Sequence, residues 1–254
     1  MTGGSHKAHD KKMIFTFTDF GLTGPYLAQV KTVLWRHAPA HPVFDLFADA
    51  PDRRPQEAAY LLAAYLGALP ENALIFAVID PGVGGQRPPV ALKLDERWLV
   101  GPGNGLFEIA ERRAGRVETY RIAEIPDAVS ASFHGRDIFA PIIGKLAAGA
   151  APGDIGLQPK AQPRFDDWPD DLAKVVYRDF YGNLMTGLRA STLSAGTRLA
   201  CRGRIIARAR TFSDVEIGAA FWYCNANGLA EIAVNGGSAA VSLGADIGAE
   251  VEII

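Results

Sequence analysis

The chain has 254 residues, of which 48% are apolar and 21% charged, and its formal net charge is −2. This composition supplies a core for one large domain or two ordinary ones and excludes disorder of the whole chain. Near-neutral charge with scattered basic residues argues against nucleic acid or an anionic membrane as a partner, and no apolar run reaches the ~18–20 residues of a membrane span. The two cysteines, Cys201 and Cys224, lack the spacing of a zinc site or a disulfide framework, so a reducing cytoplasm is the expected compartment. The leader MTGGSHKAHDKK is polar and has no apolar core, unlike a secretory signal. His6 and His9 within it are expected to be solvated.

Residues 13–18 (MIFTFT) predict a β-strand, rich in β-branched and aromatic residues and broken by Asp19 and Gly21. Pro25 can open a helix, and Leu27, Val30, Val33 and Leu34 follow at helical spacing. A strand at 43–47 (VFDLF), a largely buried helix at 57–69 and a continuous apolar strand at 73–79 (ALIFAVI) come next. Such a strand suits the inside of a parallel sheet, and the alternation predicts an α/β layer. A further helix is expected over 137–148. The stretch 149–171 is rich in proline, glycine and acidic residues. Beyond it the segments at 172–180, 197–206, 229–235 and 249–254 are strand-like and separated by glycines, as in a small barrel or sandwich. The expected architecture is an α/β N-terminal domain with a mostly parallel sheet over 13–158, a linker over 159–171, and a smaller all-β, barrel-like C-terminal domain over 172–254.

Several polar loops follow apolar strands, where ligands bind in open α/β sheets. Asp19 could accept hydrogen bonds from a ribose diol, or cap the helix near Pro25. Asp80 and Arg87 flank the glycine-rich run DPGVGGQR and could pair across it; the plainer reading is a turn with a surface salt bridge worth ~0–1 kcal/mol. Phe133-His134-Gly135-Arg136-Asp137 places a histidine that titrates near neutrality before an apolar helix, although a loop histidine can be merely hydrogen-bonded. Asp179 to Asn183 and Asn225 to Gly228 read as turns whose polar side chains could also hold a base or an amino acid. Phosphate loops, dinucleotide fingerprints, H-E-x-x-H and the G-x-S-x-G elbow are all absent from the sequence. Metal hydrolysis, nucleoside triphosphate hydrolysis and serine esterase chemistry lose weight accordingly.

Taken in order, TDFG at 18–21, VIDPGVGGQR at 78–87, FHGRDIFAP at 133–141, DFYGNLMT at 179–186 and LAEIAVNGGSAA at 229–240 resemble the S-adenosylmethionine hydroxide adenosyltransferase family, relatives of the fluorinases and chlorinases. The resemblance implies an α/β domain followed by a barrel-like domain, a homotrimer with active sites between subunits, and S-adenosylmethionine as substrate with no metal or other cofactor. It implies that Asp80, Arg87 and His134 hold the attacking water and that Asp19 binds the ribose. It further implies substrate contacts at Phe133, Asp179, Asn183 and Asn225. The reaction implied is in-line attack of water on the 5′ carbon, giving adenosine and L-methionine. His134, with an ordinary pKa of about 6.5, is assigned as proton acceptor, Asp80 as the orienting group and Arg87 as its charge partner. Gly24, Gly103 and Ala226 depart from the family pattern, and Gly24 and Ala226 do so at the methionine end. The rival readings are a halide-using enzyme of the same kind and a non-catalytic adenosine or S-adenosylmethionine binder.

Overall fold

The computed structural model describes residues 12–126 and 128–254. The reading of the first eleven residues as a polar leader, with His6 and His9, lies outside the described residues. The chain divides into two compact units. The first comprises residues up to 49 together with 70–103 and 114–162; the second comprises 50–69, 104–113 and 163–254.

The first unit is built on a seven-stranded sheet of order β2-β1-β3-β5-β4-β6-β7. Its strands are β1 (Ile14–Thr18), β2 (Val43–Phe47), β3 (Leu74–Val78), β4 (Pro89–Leu94), β5 (Arg97–Pro102), β6 (Val117–Ile122) and β7 (Leu157–Pro159). The sheet is mixed, which corrects the expectation of a mostly parallel one. β2, β1, β3 and β5 run parallel, whereas β5-β4, β4-β6 and β6-β7 are antiparallel. Only two residues, Asp95 and Glu96, join β4 to β5, and so short a connection can only make a hairpin. Asp95 takes a positive φ of 54° there, and its side chain accepts the backbone N–H of Arg116 at 2.9 Å.

Helix α1 (Tyr26–His37) buries Leu27, Val30 and Leu34, three positions on one face. Pro25, not Asp19, stands at its N-cap. The helix expected over 137–148 begins as one wide π-type turn at Gly135–Phe139 and continues as α4 (Ala140–Ala147). α1 and α4 cover the face of the sheet that carries Ile14, Leu74, Phe76 and Val78, and this is the core of the unit.

The second unit holds the other seven-stranded sheet, of order β14-β10-β11-β12-β13-β9-β8. The strands are β8 (Leu172–Arg178), β9 (Leu184–Arg189), β10 (Leu199–Cys201), β11 (Arg204–Arg208), β12 (Ala220–Cys224), β13 (Leu229–Val234) and β14 (Val251–Ile253). The sheet nearly closes on itself. Lys174 of β8 bridges Glu250, and Val175 exchanges backbone hydrogen bonds of 2.9 and 2.8 Å with Ala249 and Gly248, just before β14. Trp222, Ile232, Leu184 and Val251 fill its interior. Two helices from earlier in the chain belong to this unit: α2 (Pro55–Tyr65) and α3 (Glu108–Arg113). They are tied to it by polar contacts. Tyr60 of α2 donates to the Pro169 carbonyl, and Arg112 of α3 donates to the carbonyls of Trp168 and Phe165 at 2.7 Å each. The unit also contains the short helix α5 (Ala239–Leu243), capped by Ser238.

Candidate active site

β3 is buried along its whole length, so the chain leaves it rigidly held, and Asp80 emerges two residues past its end. The glycine-rich loop then turns back on itself. Val83 N–H donates to the Asp80 carbonyl at 3.3 Å and Gly85 N–H to that of Gly82 at 3.0 Å. Gly84 has φ +79°, and a Cβ built there would lie 2.6 Å from the Ala131 carbonyl oxygen. A side chain at this position would push apart the loop carrying Asp80 and the segment carrying His134.

Arg87 closes the loop. Its Nε donates to both carboxylate oxygens of Asp80 at 3.0 Å, and its Nη2 donates to Oδ2 as well. The same Nη2 lies 2.9 Å from Nδ1 of His134. The pair is not a surface salt bridge, since the Arg87 and Asp80 side chains are only 9% and 4% exposed. The guanidinium also stacks over the Phe139 ring, 5.4 Å from its centroid. The wide turn thus supplies the aromatic plate, and the residue just before it the histidine, that hold Arg87.

The segment around His134 is held by its own contacts. Asp137 accepts the Ser130 N–H at 2.9 Å and the Arg136 Nε at 2.6 Å, while Arg136 reaches Gln29 at 2.9 Å and lies over the Phe133 ring. Phe133 packs edge-on against Phe20 and Tyr26. Burial, and then the positive charge of Arg87, hold the His134 imidazole below its ordinary pKa, against the opposing pull of Asp80 and Asp137. Both effects favour the neutral ring. Asp19 follows β1 directly and is half-buried in the same unit.

In the second unit Asp179 and Asn183 form one closed turn. Asp179 accepts the backbone N–H of Asn183 at 2.8 Å and its side-chain amide at 3.0 Å. Gly182 completes the turn at φ +83°, in contact distance of Ser238. The turn borders a cavity of about 680 Å³ lined by Asp179, Tyr181, Asn183, Phe212, Tyr223 and Gly236. Asn225 is buried, and its side-chain oxygen already accepts the backbone N–H groups of Asn227 and Leu229 at 3.0 Å each. Its amide donates to Glu231 at 2.9 Å, and Tyr223 O–H donates to the other Glu231 oxygen at 2.6 Å.

Glu231 is 3% exposed, and burial pushes its carboxyl above the usual range. Sequence reasoning passed over it; the available signal was a single acid in the middle of the apolar strand LAEIAV. Among the described residues no group of three His, Cys, Asp or Glu is placed to hold a metal ion, and no helix is long and apolar enough to cross a membrane. The structure thus brings Asp80, Arg87 and His134 into contact in one unit and joins Asp179 to Asn183 in the other, where Asn225 is tied to the Glu231 network.

Comparison with known proteins identifies the family of the chain. The N-terminal domain of the SAM hydroxide adenosyltransferases (SAM, S-adenosylmethionine) matches residues 14–156 and the C-terminal domain matches residues 173–252. The chain belongs to the SAM hydroxide adenosyltransferase family. Similar proteins named (R)-S-adenosyl-L-methionine hydrolase occur in Thermus thermophilus, at 37% identity over 95% of this chain and 99% of the relative, and in Salinispora arenicola, at 35% over 93% and 95%. Among solved structures, a conserved protein from Thermotoga maritima superposes with a TM-score of 0.85 at 26% identity, over 95% of this chain and all of the other. A conserved protein from Thermus thermophilus gives 0.76 at 35% identity, over 96% of this chain and all of the other.

Proposed function

We infer that this chain is an enzyme that hydrolyses (R)-S-adenosyl-L-methionine to adenosine and L-methionine. The observation that carries the mechanism is the Arg87 guanidinium, which contacts the Asp80 carboxylate and His134 Nδ1 together. The relatives' name adds the sulfur configuration, which sequence patterns alone leave open.

The sulfonium is already an activated leaving group, so the protein's task is to align water and take its proton. A lone pair on the water oxygen forms the bond to the 5′ carbon. The carbon–sulfur bond breaks, and its electron pair stays on sulfur as a neutral thioether. Alignment contributes up to ~7–11 kcal/mol when geometry is ideal, and the low exposure of Asp80 and Arg87 strengthens each charge interaction around it.

The geometry favours a division of labour different from the one expected on pKa grounds. Arginine has no acceptor, so His134 Nδ1 accepts from Arg87, and the neutral ring carries its proton on Nε2. His134 then donates Nε2–H to the water oxygen, and Asp80 takes the departing proton. As the new carbon–oxygen bond forms, the oxygen becomes strongly acidic, so a carboxylate is a sufficient base. Arg87 holds Asp80 in place through its Nε and Nη2 contacts.

Asp19 is assigned to the ribose diol, Asp179 and Asn183 to the amine and the adenine, and Phe133 and Asn225 to the walls around them. A homotrimer is part of this proposal, tested by a solution mass three times the 27.2 kDa of the chain. So is a reducing cytoplasm, in keeping with free Cys201 and Cys224.

The test is incubation with the (R) and (S) sulfonium epimers in the presence of chloride, followed by chromatography. Equimolar adenosine and methionine from the (R) epimer support the reading. 5′-Chloroadenosine would replace it with halide transfer, and bound but unchanged substrate would replace it with a binding role.

A further inference from the structure

Asn183 is only 6% exposed, and its hydrogen bonds are one-sided. Its amide nitrogen donates to Asp179 Oδ2 at 3.0 Å, and its backbone N–H to Oδ1 at 2.8 Å. Among the described residues no group donates to Asn183 Oδ1, and the one wholly inaccessible side-chain atom left without a partner is the Thr18 hydroxyl. Asn183 Oδ1 therefore keeps open surface, and the space it meets is the cavity of about 680 Å³ that Asn183 lines. An acceptor held this deep and aimed into a cavity calls for a donor on whatever fills it.

The walls of the cavity suit a flat ring. Phe212 and Tyr223 both line it and stand edge to face, with 5.6 Å between their centroids. The Tyr223 hydroxyl proton is committed to Glu231 at 2.6 Å, so Tyr223 offers a ligand its ring and no donor.

Glu231 stands behind this group. β13 pairs Glu231 with Tyr223 of β12 on one side and with Met185 of β9 on the other. Asn183 lies two residues before Met185, so it projects from the same face as the diagonal neighbour of Glu231. The Asn183 side chain and the Asp179 carboxylate accordingly both act on Glu231. Glu231 is an acceptor towards its other neighbours as well, taking the Asn225 amide at 2.9 Å. The Asn183 amide nitrogen thus has carboxylates on two sides, and an ionised carboxylate only accepts. Turning the amide over would set Oδ1 against both.

We propose that Glu231 is a positioning residue for recognition of the base. Together with Asp179 it draws the N–H bonds of the Asn183 amide away from the cavity, so that Oδ1 alone faces the ligand. Oδ1 then accepts the exocyclic amine of a 6-aminopurine and rejects a 6-oxopurine, whose oxygen would set acceptor against acceptor. This deepens, and rests on, the assignment of Asn183 to the adenine.

The experiment measures by calorimetry the binding of adenosine and inosine to wild type, Glu231→Gln and Asn183→Ala. Thermal midpoints and steady-state kinetics on (R)-S-adenosyl-L-methionine accompany it. Wild type is expected to hold adenosine about 10²-fold or more tighter than inosine. Glutamine keeps the size of Glu231 but supplies an amide N–H, to which Asn183 Oδ1 can turn. Glu231→Gln is therefore expected to cut the adenosine preference about tenfold or more and to raise KM, with kcat within about threefold of wild type. Asn183→Ala is expected to abolish the preference. An unchanged preference in Glu231→Gln, with the preference gone in Asn183→Ala, overturns the positioning role alone. Equal weakening of both nucleosides beside a lower midpoint would make Glu231 purely structural, which also overturns it. A full preference in Asn183→Ala would instead overturn the assignment of Asn183 to the adenine.

Discussion

Nη2 of Arg87 lies 2.9 Å from Nδ1 of His134, and of these two atoms only the imidazole nitrogen can accept. The contact fixes the neutral histidine tautomer with its proton on Nε2. Glutamine carries an N–H donor at nearly the reach of Nε2, so His134→Gln is expected to retain turnover within about tenfold of wild type, whereas His134→Ala falls by about 10²-fold or more. Steady-state kinetics on the two variants checks this. Equal loss in both would restore histidine to the role of base.

Protonating His134 would set an N–H against the Arg87 N–H and break the contact. Its folded pKa lies below the ordinary 6.5, through burial and then Arg87. The unfolded chain therefore takes up the proton first as pH falls. The stability from neutral His134 is complete above the unfolded value of about 6.5 and is lost as pH falls through the lower folded value. The acid limb of kcat/KM is expected below 6.5, and replacing Arg87 with Gln is expected to move the imidazole titration upward. An NMR titration of the ring in both proteins measures it directly.

Gly84 and Ala131 hold the two catalytic segments at backbone distance. Gly84→Ala introduces a Cβ 2.6 Å from the Ala131 oxygen at a φ of +79°, costing about 1–3 kcal/mol. Because the clash falls between the Asp80 loop and the His134 segment, kcat is expected to drop by more than the stability loss alone would give. Denaturation and kinetics at a temperature where the variant is fully folded separate the two effects.

Glu231 gives a stability signature of opposite sign. Its folded pKa is raised above 4.5 by burial, against hydrogen bonds from Tyr223 and Asn225 and with Asp179 adding to the rise. Its contribution is complete below the unfolded value and is lost as pH rises through the higher folded value. Wild type is therefore expected to lose stability relative to Glu231→Gln as pH rises across this range. A difference independent of pH would show that Glu231 does not titrate in the fold.

The parallel half of the first sheet was legible in the sequence because β1 is rich in β-branched and aromatic residues and β3 is a continuous apolar run, with Asp19 and Asp80 within two residues of their ends. The antiparallel half was not. Its hairpin turns on Asp95-Glu96 with an aspartate at positive φ, where the usual signal is Asn-Gly or Asp-Gly. Nothing in the apolar pattern of α2 states that it packs with the second unit, since a helix buried on most sides fits either core. The Asp80–Arg87 pairing could be anticipated from a loop of glycines between them. The bond from Arg87 to His134 could not, because it depends on the wide turn at Gly135–Phe139, for which periodicity gives no sign.

The resemblance assigns Gly24 and Ala226, which depart from the family pattern, to the methionine end of the substrate. Gly24 adopts φ +104° with no heavy atom closer than 3.9 Å to a built Cβ, so the position is open. S-Adenosyl-L-ethionine is expected to be hydrolysed at a rate within about tenfold of the methionine compound, since at an open position one added methylene falls at the low end, about 1 kcal/mol, of its usual range. Strict rejection of the ethyl analogue would place a tight contact there.

The most direct measurement is a reaction of wild type, Asp80→Asn and His134→Gln with (R)-S-adenosyl-L-methionine in ¹⁸O-labelled water, followed by mass spectrometry of both products. Attack at the 5′ carbon with Asp80 as base predicts label in adenosine and none in methionine. It also predicts a fall of about 10²–10⁴-fold for Asp80→Asn and retained turnover for His134→Gln. Labelled homoserine beside unlabelled 5′-methylthioadenosine, or wild-type rates from Asp80→Asn, would contradict the account.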